Sequence, residues 1–232
     1  MMNCHTHTAF MARSVIYAST PRCDRCRLAP RWCICAGLQN IDCSLRVDVL
    51  IHHREFVRPT STGRLITRVI PTARHHQFRR ETPPAKETVV LPDHTVWILH
   101  PRGELLPADA SPKGLQVILL DASWPEAARM TPTVAPWGRL VRLPMTGPSR
   151  YWLRTQELAG NYSTVEALLF LLAALGLTKE ESQLRLMFEL QVYAGLLARG
   201  NKLAAVEYLS TSPVREAFPE LLRQLDLKRP RI

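Results

Sequence analysis

Asp121, Ser123 and Trp124 stand where an apolar run stops. Residues 116–120, Gln-Val-Ile-Leu-Leu, read as a buried strand, so the carboxylate that follows occupies a strand's carboxyl end. In open α/β sheets ligands bind there, because loops leaving the strand ends border a crevice that the helices do not fill. Ser123 can cap the helix that starts next, Pro125 suits its first turn, and Glu126 suits its positive end. A carboxylate, a hydroxyl and a flat aromatic on one rigid turn suit proton transfer and stacking. The same residues also serve as plain turn, cap and packing residues.

A second group is more compact. Cys23, Cys26, Cys33 and Cys35 follow C-x2-C-x6-C-x-C. Each short pair can place two sulfurs on one ion, and zinc takes four thiolates tetrahedrally. A redox pair or plain buried thiols are the alternatives, but a redox Cys-x-x-Cys does not need the second pair. Cys4 and Cys43 fall outside the spacing and read as non-ligands. Arg22, Arg25, Arg27 and Arg31 interleave with the cysteines, so the knuckle presents positive charge, as an RNA-facing appendage would.

The elements that must position these groups alternate strand, polar turn and helix. Residues 45–51 read as the first core strand, ending in His52 and His53, which as strand neighbours point to opposite faces and cannot share an ion there. Residues 60–64 put hydroxyls and a glycine before a helix, where an anion or nucleotide loop is possible. Residues 74–87 read as a basic loop; 88–91 and 96–100 read as short strands, the latter followed by His100-Pro101-Arg102-Gly103, and 139–143 as another strand. Residues 147–154 are basic and aromatic, fit either to pair with phosphates and stack on a base or simply to pack on the domain. Ser163 with Glu166 matches a capping box opening an apolar helix, which explains both without chemistry. Helices follow at 179–199 and 214–225, then a basic tail from Lys228 to Arg231. The expected architecture is α/β: a mainly parallel sheet flanked by helices, with residues 1–44 as an N-terminal segment holding the knuckle and residues 45–232 as the main domain.

Composition narrows the function. Thirty basic against twenty acidic side chains give +10, which favours a polyanionic partner over a plain solvated surface; a zinc tetrathiolate would leave about +8. No apolar run is long enough to span a bilayer, and residues 1–17 lack the apolar core of a signal peptide, so a cytoplasmic protein is expected. G-x-G-x-x-G and G-x-x-x-x-G-K-[ST] strings are absent.

The Asp121-Ala122-Ser123-Trp124-Pro125-Glu126-Ala127 string resembles the Asp-x-Thr-Trp signature of the DTW-domain family, with Ser123 where threonine is usual. The cysteine knuckle, Thr62-Gly63-Arg64-Leu65-Ile66, the stretch from Tyr151 to Arg154 and Ser163-Thr164-Val165-Glu166-Ala167 occur in the family's order, from about residue 20 to about residue 170. The resemblance implies a SPOUT-like α/β fold and a bacterial tRNA-uridine aminocarboxypropyltransferase. Such an enzyme moves the 3-amino-3-carboxypropyl group of S-adenosylmethionine to the ring imide nitrogen of a uridine. In that chemistry Asp121 is the base or its orienter, with Ser123 and Trp124 beside it, and Trp124 stacks on uracil or adenine. The donor carboxylate falls to Arg64 or Arg154 with the Thr62-Gly63 backbone, and Ser163 and Glu166 sit near the donor, Glu166 facing its ammonium. The competing readings are a non-catalytic zinc-ribbon RNA-binding protein and a SPOUT-type RNA methyltransferase.

Overall fold

Apolar runs rich in β-branched and aliphatic residues form the central strands β1 (Arg46–His52) and β4 (Leu115–Asp121), joined by the polar β2 (Arg74–Phe78) and by β3 (Thr95–Leu105) and β5 (Arg139–Arg142). In the computed structural model, which describes residues 21–154 and 161–227, they pair in the order β2-β1-β4-β3-β5, every neighbouring pair parallel. Cys4, the rest of residues 1–17 and the tail from Lys228 to Arg231 lie outside the described residues.

Parallel strands need crossovers, and helices supply them. In chain order these are α1 (His53–Phe56), α2 (Gly63–Val69), α3 (Lys86–Val89), α4 (Trp124–Val134), α5 (Thr164–Ala174), α6 (Thr178–Ala198), α7 (Lys202–Ser210), α8 (Val214–Ala217) and α9 (Pro219–Asp226). Successive strand residues face opposite sides of the sheet. Val49, Ile51, Val117 and Leu119 pack with side chains of α2, α5 and α6, while Leu50, Ile98 and Ile118 pack with Met130 and Val134 of α4. The first of these clusters also takes in Cys26, Leu28, Ile34, Leu38 and Ile41, so the knuckle is built onto the same core as the sheet.

The mainly parallel, helix-flanked sheet stands as expected; several details do not. Residues 74–78 are an edge strand rather than a loop. The strand hides behind charge because most of it is exposed, and a buried polar network holds it. Asp48, 0% exposed on β1, accepts bonds from Arg46, from Gln116 on β4 (2.7 Å), and pairs with His76 Nε2 on β2 at 2.9 Å. Burial alone would raise the Asp48 carboxyl, but these partners hold it below its ordinary value. Residues 86–89 form the short helix α3 where a strand was expected. The expected helix over 214–225 breaks into α8 and α9 at Pro219, whose ring opens the second piece. His52 and His53 lie side by side, ring centroids 4.4 Å apart, because the chain turns from β1 into α1 between them.

Candidate functional site

Because the strands are parallel, their carboxyl ends gather on one edge, and a cavity of about 640 Å³ opens there. β4 delivers Asp121 to its floor, 5% exposed. The carboxylate is held from two sides: Ser61 Oγ donates to Oδ2 at 2.6 Å, and Thr164 Oγ1 donates to Oδ1 at 2.6 Å. Ser61 belongs to the loop before α2, and Thr164 is the first residue of α5. Asp121 therefore ties three segments together at the cavity. Gly63 makes the approach possible, since a Cβ there would lie 2.7 Å from Asp121 Cγ and 2.8 Å from a Val49 methyl.

Ser123 and Trp124 also line the cavity. The Ser123 hydroxyl and backbone N–H both donate to Glu126 (2.8 and 3.2 Å), so this hydroxyl is used in fixing the helix start. Trp124 is 39% exposed, an unusual state for so large an apolar side chain, and its free face forms part of the cavity wall.

Of the residues expected around a donor, Thr62, Arg154 and Ser163 line the cavity, and Tyr151 joins them. Arg154 pairs with the buried Glu55 and donates to Thr60 Oγ1 at 3.3 Å. The Tyr151 hydroxyl donates to Thr60 O at 2.5 Å, and burial pushes it up to about 12, so it stays protonated. Arg64 and Glu166 do not face the cavity. The Arg64 guanidinium donates to Phe56 O at 2.6 Å and lies over the Phe56 ring. Glu166 accepts from Arg150 N–H and Ser163 N–H (both 2.7 Å) and from the Ser149 hydroxyl (3.0 Å), which leaves it a loop organiser. The amides after Thr62 are also engaged: Arg64 N–H reaches Ser61 Oγ and Leu65 N–H reaches Thr62 O. Arg150 is drawn off to Glu189, Thr211 and the Tyr208 ring.

The opposite wall comes from His100 to Gly103, which the sequence marks as a polar strand end but not as a bulge. Leu99 and Glu104 both register with Val141 of β5, so residues 100–103 bulge out of β3. A Cβ at Gly103 would sit 2.6 Å from the β5 backbone, so glycine lets the bulge close down on β5. His100 and Arg102 are thereby set into the cavity wall beside Arg142 from the end of β5. The signal available was a proline and a glycine inside a strand pattern. Burial and the neighbouring Arg102 push His100 below its ordinary value, so it is neutral at pH 7, and its Nδ1 accepts the Arg102 backbone N–H at 3.2 Å.

The knuckle brings all four expected sulfurs within 4.8 Å of one another, Cys23 to Cys35 at 3.5 Å and Cys26 to Cys33 at 3.7 Å. A tetrahedral zinc with Zn–S bonds of about 2.3 Å has ligand edges of about 3.8 Å, so these thiols can hold a zinc ion with little movement. The Cys26 backbone N–H holds the Cys23 thiol down at about 6, but burial pushes Cys26 and Cys35 up. A central cation is what would make all four thiolates. Arg68 fits the same charge balance. Its Nη1 donates to Gln191 at 3.2 Å, its Nη2 is buried without a hydrogen-bond partner among the described residues, and the positive field of Arg64 lies beside it.

Compared with known families, residues 20–195 match the family model described as the DTW domain. The match spans both the cysteine knuckle and the strand-end cavity. Among the described residues no helix is long and apolar enough to cross a membrane.

Proposed function

From the premise that the chain belongs to the DTW family, the tRNA-uridine aminocarboxypropyltransferases, we propose that it transfers the 3-amino-3-carboxypropyl group of S-adenosylmethionine to a uridine in tRNA. The observation that carries this reading is the place of the family's turn: Asp121, Ser123 and Trp124 together line the large cavity at the carboxyl ends of a parallel sheet.

In this reading the imide N–H of uracil loses its proton, the nitrogen bonds to the methylene beside the sulfonium, and the C–S pair leaves with sulfur as methylthioadenosine. Sulfonium is a good leaving group, so the site must mainly position the reactants and accept a proton. Asp121 is the acid–base group, and the Ser61 and Thr164 hydroxyls fix its orientation. Trp124 offers a stacking face, Thr62, Ser163 and Arg154 border the donor, and Tyr151 holds Thr60 in place. The four cysteines hold a structural zinc, which supplies a crosslink to the fold.

A tRNA partner fits the charge. The parallel topology that gathers the strand ends also gathers Arg54 after β1, Arg79 and Arg80 after β2, and Arg142 at the end of β5, all exposed. Exposed cations around a cavity mouth suit a phosphate backbone.

The test is mass spectrometry of bulk tRNA incubated with the protein and S-adenosylmethionine. Uridine gaining an aminocarboxypropyl group, with methylthioadenosine released, is the expected result. Methylated nucleoside with S-adenosylhomocysteine would assign a methyltransferase, and RNA binding without product would assign a non-catalytic binder.

A further inference from the structure

The charges lining the cavity are divided unequally between its walls. On one side Arg154 is matched by buried Glu55, and Asp121 is satisfied by two hydroxyls. On the other, Arg102 and Arg142 have no acidic partner among the described residues, and the bulge also carries the neutral His100. This wall departs from regular strand pairing at a defined place. The strand interrupts its own ladder over residues 100–103, and Gly103 is pressed against the backbone of Leu140 and Val141 to allow it. The His100 ring is fixed as well: with Nδ1 accepting the Arg102 N–H, its one proton sits on Nε2, which makes the ring a hydrogen-bond donor and not a base.

We propose that the bulge, with Arg102 as its charged member and the His100 ring as a hydrogen-bond donor beside it, is the subsite for the carboxylate of the donor's amino-acid tail, a role the sequence had given to Arg64 or Arg154. The proposal rests on the transferase reading and deepens it. Two consequences follow from the chemistry. The carboxylate lies on the group that is transferred, so Arg102 grips the moving part of the donor and leaves the adenosine part to other contacts. Once the C–S bond breaks, methylthioadenosine lacks the carboxylate and loses this hold, so the spent donor leaves while the modified uridine is still oriented. An RNA phosphate is the other anion that Arg102 can bind, and the experiment separates the two.

The experiment measures binding of S-adenosylmethionine, its decarboxylated form and methylthioadenosine to wild type, Arg102→Met, Arg102→Lys and Arg142→Met by calorimetry. tRNA binding is measured in parallel at low and high salt. Wild type is expected to prefer the intact donor over the decarboxylated one by about tenfold or more, the worth of a charge-assisted contact. Arg102→Met should erase that preference and leave methylthioadenosine affinity within about twofold; Arg102→Lys should keep part of it, and Arg142→Met should keep most. If Arg102→Met weakens all three ligands alike, or leaves the preference intact, the subsite is elsewhere. If it leaves the donor untouched and lowers only salt-sensitive tRNA binding, the bulge reads phosphate and the proposal is wrong. Wild type binding none of the three small molecules would overturn the transferase reading itself, and the subsite with it.

Discussion

The cysteine knuckle and the strand-end cavity are built on opposite plans. The knuckle draws its four cysteines from thirteen consecutive residues and brings the sulfurs together locally. The cavity draws on six separated segments, and its central carboxylate is held by hydroxyls 60 and 43 residues away in sequence. In the knuckle the chemically suggestive residues converge on one another. Around the cavity several of them, including Ser123, Arg64 and Glu166, turn out to be occupied in building the scaffold, while Asp121, Trp124, Thr62, Arg154, Ser163 and the bulge line the space. A local motif can be read as a site directly; a site assembled by topology needs its scaffold residues told apart from its working residues.

Asp121→Ala should break the comparison hardest. It removes the proposed acid–base group and strands two hydroxyls, so aminocarboxypropyl transfer to tRNA should fall by about a hundredfold or more. Zinc content, measured by atomic absorption, should stay at the wild-type level, because the knuckle does not depend on that carboxylate. The converse experiment is zinc removal by a chelator, or Cys26→Ser. The knuckle shares its core with α6 and α9, so melting should drop by roughly 10 °C, about 3 kcal/mol or more in a protein of this size. Survival of the full melting temperature after verified zinc loss would make the cysteines plain buried thiols.

Gly63→Ala should come next, costing about 1–3 kcal/mol because its methyl meets Asp121 and Val49 below contact distance. It should also lower transfer activity by displacing Asp121, which an equally destabilising core substitution far from the cavity should not do. Arg68→Met sharpens the electrostatic side. Burial pushes Arg68 down to about 10, so removing its charge should stabilise the zinc-free protein and weaken zinc retention in the loaded one, as read by chelator competition. Equal shifts in both forms would mean that Arg68 does not answer the net negative charge of the loaded site.

The smallest effect is pH dependence. Burial holds both His52 and His100 below their ordinary values, so the folded state binds fewer protons than the unfolded chain. Their contribution is present above about pH 6.5 and is lost as the pH falls below it. Urea midpoints at pH 7.5 and 5.5 should show the lower stability at 5.5.

How much of this was legible in the sequence follows the same division. The alternation of apolar runs and polar turns is a local signal, and it gave the parallel sheet and the Asp121 turn. The capping box at Ser163 and Glu166 was equally local. The edge strand β2 was hidden because its residues answer to a network centred on Asp48, which no window around residue 74 contains. The loop before α2 was recognised, but Thr62 and Gly63 drew attention from Ser61, whose partner lies on another strand. The bulge at His100 to Gly103 was read as a strand end because its continuation into Leu105 depends on pairing with β5.

The measurement that tests the central claim most directly is product formation by Asp121→Asn, a variant of nearly unchanged size, with zinc content and melting recorded on the same sample. The account predicts wild-type zinc, melting within a few degrees of wild type, and tRNA-dependent methylthioadenosine release reduced by about a hundredfold. Asp121→Asn releasing methylthioadenosine at the wild-type rate would contradict it, and would move the chemistry away from the strand-end cavity.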